Sequence, residues 1–309
     1  MFLHCLLTAT LTSALLATAA KEEHRETAHP SAAVLNGTYY GLHNTHYNQD
    51  FSLGMPFAQQ PVGDLRFQIP QQLNTSWSVP RNATEYSPAC VGYKQTEGAS
   101  EACLTLNVVR PADFARYDNL PVAVWIYGGG FTSGSSSNPG DQRLALHWLQ
   151  ENIAAIGGDH SKVTIWGEST GANSVGTHLV AYGGRDDGLF RAAISESGAP
   201  SVYARYQAPD DWQPFYDAIV DAAGCSSAND TLACLRGIPE NILHDIFDNS
   251  SIVPVHTLAG HSGPQFIPVI DGDLIEESAT VQLRKGKFVK VPYLIGGNAD
   301  EGTSFAVRE

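Results

Sequence analysis

Ser169 stands at the centre of Gly167-Glu168-Ser169-Thr170-Gly171, and it is the residue of this chain best suited to chemistry. A serine hydroxyl is a poor nucleophile at neutral pH. It becomes useful when a tight turn exposes it beside a base and aims it at a carbonyl carbon. Glycine at 167 and 171 lets a strand reverse into a helix without a Cβ clash, which lifts the hydroxyl above the end of a sheet. A second feature lies upstream at Gly128-Gly129-Gly130-Phe131. Three successive glycines leave backbone N–H groups unobstructed, as donors to a developing oxyanion must be. A five-residue pattern arises often by chance, so the surrounding elements have to carry the argument.

Those elements are legible on both sides. Lys162 to Trp166 is a β-branched and aromatic run that predicts a buried strand entering the Ser169 turn, and Ala172 to Tyr182 predicts a helix packing through Ala172, Val175, Leu179 and Val180. Pro121 to Tyr127 predicts another buried strand, ending in the three glycines. Phe190 to Gly198 and Val291 to Gly297 predict two more. Strands alternating with helices imply an α/β sheet. Residues 203–262 show helical spacing and loops without a strong strand, and read as an insertion covering the site.

Composition narrows the partners. The chain has 309 residues, of which 43% are hydrophobic, enough for a substantial core. Acidic residues outnumber basic ones 32 to 18, a formal net charge of −14. Such a surface repels phosphate backbones, which argues against nucleic acid as a partner. No C-x-x-C spacing or histidine cluster suggests a metal site.

Residues 1–20 are apolar, carry no charged side chain and end in small residues, the pattern of a signal peptide cleaved after Ala19 or Ala20. The run is short for a bilayer span, so no stable membrane anchor is expected after cleavage. Cleavage removes Cys5 and leaves Cys90, Cys103, Cys225 and Cys234, which allow three pairings; the two local ones are Cys90–Cys103 and Cys225–Cys234. Five glycosylation acceptor sequences, at Asn36, Asn74, Asn82, Asn229 and Asn249, point to the same oxidising, extracellular setting.

With these pieces placed, the chain resembles the type-B carboxylesterase/lipase family, the cholinesterase-like branch of the α/β-hydrolases. The likeness runs through most of residues 35–306. It rests on MPFAQQPVGDLRFQIP, EACLTLNVVRP, YGGGF, DQRLALHWLQENIAAIGGDHSKVTIWGESTGA, AAISESGAP, FIPVIDGD and VPYLIGGNADEGTSF. The resemblance implies an α/β-hydrolase fold with a mostly parallel sheet, and a secreted carboxylic-ester hydrolase that needs no cofactor and acts on small-molecule or lipid esters. Ser169 takes the nucleophile's place. Gly129, Gly130 and Thr170 take the places of the oxyanion donors, with Thr170 where alanine is more usual, so that its bulk is expected to narrow the acyl side. Glu301 matches the triad acid, which orients the base and stabilises its imidazolium. The family's disulfides match Cys90–Cys103 and Cys225–Cys234.

Two departures shape the expectations. No histidine follows Glu301 in the eight residues that remain, whereas the family's catalytic histidine comes on the order of a hundred residues after the acid. Gly130 and Ser169 are only 39 positions apart, where the family carries a further strand and helix. The chain is therefore expected to be an incomplete α/β-hydrolase over 21–309, lacking one central strand unit and the C-terminal third, with two strand edges left unpaired and hydrolysis impaired. His147, His160, His178, His256 and His261 are expected to be packing or surface residues rather than a replacement base. The competing expectation is a non-catalytic secreted hydrolase-like binding protein.

Overall fold

A computed structural model describes residues 29–93, 98–113, 119–133, 139–201, 208–249, 251–253 and 268–303. The expected signal peptide at 1–20 lies outside them, as do His256 and His261. In chain order the strands are β1 (Ser31–Val34), β2 (Gly37–Tyr40), β3 (Leu42–Asn44), β4 (Gln49–Pro56), β5 (Arg81–Asn82), β6 (Ala89–Cys90), β7 (Ala99–Ser100), β8 (Thr105–Pro111), β9 (Leu120–Ile126), β10 (Gly158–Glu168), β11 (Ala192–Glu196) and β12 (Tyr293–Gly296). The helices are α1 (Pro139–Asn152), α2 (Thr170–Gly184), α3 (Pro209–Ala222), α4 (Thr231–Gly237), α5 (Glu240–Asp248) and α6 (Ala279–Arg284).

The four strands expected from the apolar runs form one sheet in the order β12-β11-β10-β9, and every neighbouring pair is parallel. Parallel strands need helical crossovers and are covered on their faces. Val163 and Ile165 of β10 are accordingly fully buried, while Leu146, Trp148 and Leu149 of α1 pack into the same core. His160 lies within β10, which begins at Gly158, four residues before the run that predicted the strand.

α2 departs from a one-sided amphipathic helix. Ala172, Val175, Leu179 and Val180 are buried as expected, but so are Asn173, Ser174, Thr177 and His178. Burying these polar groups is tolerable because most of their polar atoms are bonded, His178 Nδ1 alone among these four side chains being buried without a partner. Ser174 Oγ donates to Thr170 O at 3.0 Å, Thr177 Oγ1 to Asn173 O at 3.0 Å, and Asn173 Oδ1 accepts from Ala199 N at 3.1 Å.

A separate antiparallel sheet, β3-β4-β8, lies alongside. Among the described residues β8 pairs only with β4, and β9 only with β10. The two strands instead face a cavity of about 570 Å³ that both of them line. This matches the expectation of two strand edges without a neighbour.

The region expected to be helical folds as α3, α4 and α5 around its own apolar cluster, which includes Ile219, Val220, Leu235, Leu243 and Ile246. Arg66, only 8% exposed, ties it to the N-terminal part. Its guanidinium donates to Ile238 O at 2.6 Å, to Arg236 O at 3.1 Å and to Glu101 Oε2 at 2.7 Å.

Candidate active site

β10 delivers Ser169 to the end of the sheet, and α2 begins at the next residue. Ser169 has φ 57° and ψ −126°, a conformation that a side chain with a Cβ rarely adopts. Holding it there stores on the order of 1–3 kcal/mol, which the surrounding packing offsets. The flanking glycines act through close approach. A Cβ on Gly171 would lie 2.0 Å from Ile126 O, and one on Gly167 would lie 2.5 Å from the Gly171 backbone. The turn can thus sit directly against the end of β9. Gly128 completes the contact, since a Cβ there would fall 2.9 Å from Ser169 Cβ.

The glycine turn after β9 is held from within. Gly129 and Gly130 have φ of 113° and 69°, and Gly129 O accepts from Thr132 N at 3.2 Å and Ser133 N at 3.1 Å. Gly130 N–H donates to Thr170 Oγ1 at 3.1 Å. The expectation for Thr170 was added bulk on the acyl side. In the structure its hydroxyl turns to the Gly130 amide, one of the expected oxyanion donors. A β-hydroxyl one residue past the turn is the right length to reach that N–H.

Glu301 lies at the same end of the sheet, beyond β12. Its carboxylate accepts from Ser197 Oγ at 2.7 Å and from the Asn298 backbone N–H. Ser197 follows β11, and β11 is the parallel neighbour of β10, so Glu301 and Ser169 stand at adjacent strand ends. The Ser197 hydroxyl, and after it the Asn298 N–H, hold the Glu301 carboxyl below the usual carboxylate range although it is exposed. Sequence reasoning did not assign Ser197 this role. The signal was its position just past a strand, and φ 53° shows that it too forms a sharp turn.

No histidine among the described residues hydrogen-bonds Ser169. His160 is nine residues back along β10, about 30 Å at the rise of a strand, and its Nδ1 lies 3.2 Å from Gln150 Oε1. His178 is nine residues along α2, about 13 Å away. It is completely buried and donates from Nε2 to Gln142 Oε1 at 3.1 Å. Burial, aided by the Arg143 charge, pushes its pKa down to about 3, so the ring is neutral. His147 is half-buried on α1.

His244 escaped the sequence reading, although the four-residue spacing to Asp248 on a helix was a usable signal. It is buried, donates from Nε2 to Gly92 O at 2.9 Å and places Nδ1 3.3 Å from Asp248 Oδ2. With Phe131, Ser133, Leu243 and Phe247 it lines a cavity of about 370 Å³ beside the glycine turn.

Both local disulfides are formed, Cys90–Cys103 and Cys225–Cys234, with Cα separations of 5.0 and 5.8 Å. Asn74, Asn82, Asn229 and Asn249 are exposed, whereas Asn36 is half-buried and its amide donates to Thr75 O at 2.9 Å. Among the described residues no cluster of His, Cys, Asp or Glu could hold a metal ion, and no helix is long and apolar enough to cross a membrane.

Comparison with known proteins places this geometry. The carboxylesterase family profile matches residues 24–140 and 138–309, two stretches that meet at the start of α1. Lipase 4 of Diutina rugosa is 36% identical over 357 positions, covering 91% of this chain and 63% of that protein. Those 357 positions exceed the participating residues of this chain by about 76. Secreted lipase 1 of Botryotinia fuckeliana is 33% identical, covering 82% of this chain and 56% of that protein. The crystal structure of Aspergillus niger EstA superposes with a TM-score of 0.80 at 32% identity, covering 91% of this chain and 62% of that one. The chain thus spans less than two thirds of the length of each of these relatives.

Proposed function

The chain belongs to the carboxylesterase family and has its α/β-hydrolase fold, and from that premise we propose that it is a secreted carboxylic-ester hydrolase by lineage, with Ser169 as nucleophile. The observation that carries this reading is the strained Ser169 turn seated against Gly128 at the end of β9. Relatives named lipases support an ester substrate, and those named secreted lipases support export. The disulfides and exposed acceptor asparagines fit the same setting.

In this reading Ser169 Oγ attacks the ester carbonyl and its proton passes to a base. The tetrahedral oxyanion takes hydrogen bonds from the backbone N–H groups of Gly129, Gly130 and Thr170, the alcohol leaves, and water releases the acid from the acyl-enzyme. Glu301, fixed by Ser197, is the carboxylate that would orient the base and stabilise its charge. The described residues place no base against Ser169. With the oxyanion donors alone, the expected acceleration is the residual 10³–10⁴ over water, on the order of what remains after loss of a triad member.

A second reading, a non-catalytic hydrolase-like binding protein, is favoured by one observation: Gly130 N–H is already engaged by Thr170. Labelling with a fluorophosphonate separates the two. Modification confined to Ser169, absent from Ser169→Ala and blocked by a short-chain p-nitrophenyl ester, supports the hydrolase. Folded protein that stays unlabelled supports the binding protein.

A further inference from the structure

Two turns meet at the end of the main sheet, the one that carries Ser169 and the one that follows β11 and carries Ser197. The second is pinned to the first at both of its ends. Where the chain leaves β11, Glu196 O accepts from Ser169 N at 2.9 Å; where the turn closes, Ala199 N donates to Asn173 Oδ1 at 3.1 Å. Between these points the Gly198 backbone lies against the start of α2, since a Cβ there would fall 2.6 Å from Ser169 O and 3.0 Å from Asn173 Oδ1. Ser197 reaches the other way. Its N–H donates to Gly296 O at 2.8 Å and its hydroxyl to Glu301 Oε1 at 2.7 Å.

The entry bond joins backbone to backbone, whereas the exit bond needs a side-chain acceptor of one length. Asn173 supplies it. The residue stands one turn beyond Ser169, with its own N–H on Ser169 O at 3.1 Å, and is 7% exposed. Asparagine is a poorer helix former than alanine, and its neighbours Ala172 and Val175 are fully buried apolar groups. A carboxamide buried in that setting needs a partner, and the half-buried Ala199 N–H is one. An alanine or a leucine at 173 would leave that N–H without this acceptor.

We propose that Asn173 is the positioning residue that fixes the Ser197 turn, and through it Glu301, relative to Ser169. Without its oxygen the turn keeps the entry bond and the bond to β12 but loses the restraint on its exit. Ser197 then gains freedom to move, and Glu301 moves with it. The catalytic meaning of this placement rests on the ester-hydrolase reading; the placement itself does not.

Three variants test it. Asn173→Ala removes the acceptor, Asn173→Asp keeps an acceptor oxygen at neutral pH, and Thr177→Val removes a buried hydrogen bond of α2 without touching the turn. In Asn173→Ala the Ala199 amide is expected to exchange at least about fivefold faster, as loss of one neutral hydrogen bond implies. The pH midpoint at which the Asn298 amide, held by Glu301, loses protection is expected to move upward. Fluorophosphonate labelling of Ser169 is expected to slow at least about threefold, because misplaced groups react poorly. Asn173→Asp should restore the Ala199 amide and the labelling rate at neutral pH. Thr177→Val should lower the melting temperature and leave the midpoint in place, as a residue that only stabilises the helix would. Asn173→Leu, similar in volume and without an acceptor, gives the same comparison if the alanine variant is too unstable to study. A midpoint that stays at the unmodified value without the acceptor, while the α2 amides remain protected, overturns the inference. If Ser169 stays unlabelled in every protein while the midpoint still moves, the hydrolase reading fails and the positioning of Glu301 stands.

Discussion

The backbone N–H of Gly130 donates to the hydroxyl of Thr170 across 3.1 Å, joining the two turns that flank Ser169. One residue thus offers a backbone donor to the proposed oxyanion while its side chain competes for the neighbouring one. Thr170→Ala removes the competitor without touching the amide. A neutral hydrogen bond is worth about 1 kcal/mol net, so the rate of Ser169 phosphonylation is expected to rise roughly five- to tenfold. Thr170→Ser keeps the hydroxyl and should leave the rate near its starting value. A fall in rate with Thr170→Ala would show that the hydroxyl helps the reaction instead.

Gly171 has no room for a methyl group, because its Cβ would sit 2.0 Å from Ile126 O and 2.7 Å from Tyr127 O. Backbone cannot give way as a flexible side chain can. Gly171→Ala is expected to destabilise the protein by about 3 kcal/mol or more and to abolish labelling of Ser169. Gly237→Ala is the control, since a Cβ there meets nothing within 4 Å. Its melting temperature should stay within a degree or two of the unmodified chain.

The anchorage of Glu301 depends on pH in a direction that its environment sets. The Ser197 hydroxyl and the Asn298 N–H bond the ionised form, so its folded-state pKa lies below the ordinary 4.5 of a free glutamate side chain. A depressed carboxylate stabilises the native arrangement above its unfolded pKa and loses that contribution as pH falls through the folded one. Exchange of the Asn298 amide should therefore be slow near neutrality, once corrected for intrinsic pH dependence, and faster below the normal carboxylate range. Ser197→Ala should shift that transition to higher pH, toward 4.5. An unmoved midpoint would assign the restraint to the backbone alone.

His178 acts in the same direction on acidification, over a window that opens at higher pH. It is buried neutral with a pKa near 3, against an ordinary 6.5, so the unfolded chain binds a proton that the folded chain refuses. Stability attributable to this ring is complete above 6.5 and falls as pH drops toward 3, with a slope approaching about 1.4 kcal/mol per pH unit. His178→Gln retains a donor for Gln142 and should flatten the denaturation midpoint across that window. Equal slopes in both proteins would mean that His178 takes up its proton in the folded state.

Much of the fold was legible in the sequence because its signals are local. The runs ending at Trp166 and Tyr127 are β-branched or aromatic and bounded by glycine, and a chain of that kind forms a buried strand wherever a sheet can accept it. The helix from Ala172 showed its apolar spacing, and the cysteine pairs lie close enough in sequence to be paired as expected. Set against the pattern that the family resemblance implies, the 39-position interval between Gly130 and Ser169 pointed to two unpartnered strand edges, which the described residues show at β8 and β9.

What only the tertiary structure decided are relationships between residues far apart in the chain. Nothing near Thr170 in sequence announces that its hydroxyl meets an amide 40 positions away. Glu301 and Ser197 are 104 positions apart and meet because β11 and β12 lie parallel with their ends aligned. The polar residues of α2 break the apolar pattern, yet are buried because neighbouring backbone groups satisfy them. Residue types and spacing determine which groups can do chemistry; the register of strands and the close approach allowed by glycine determine which of those groups touch.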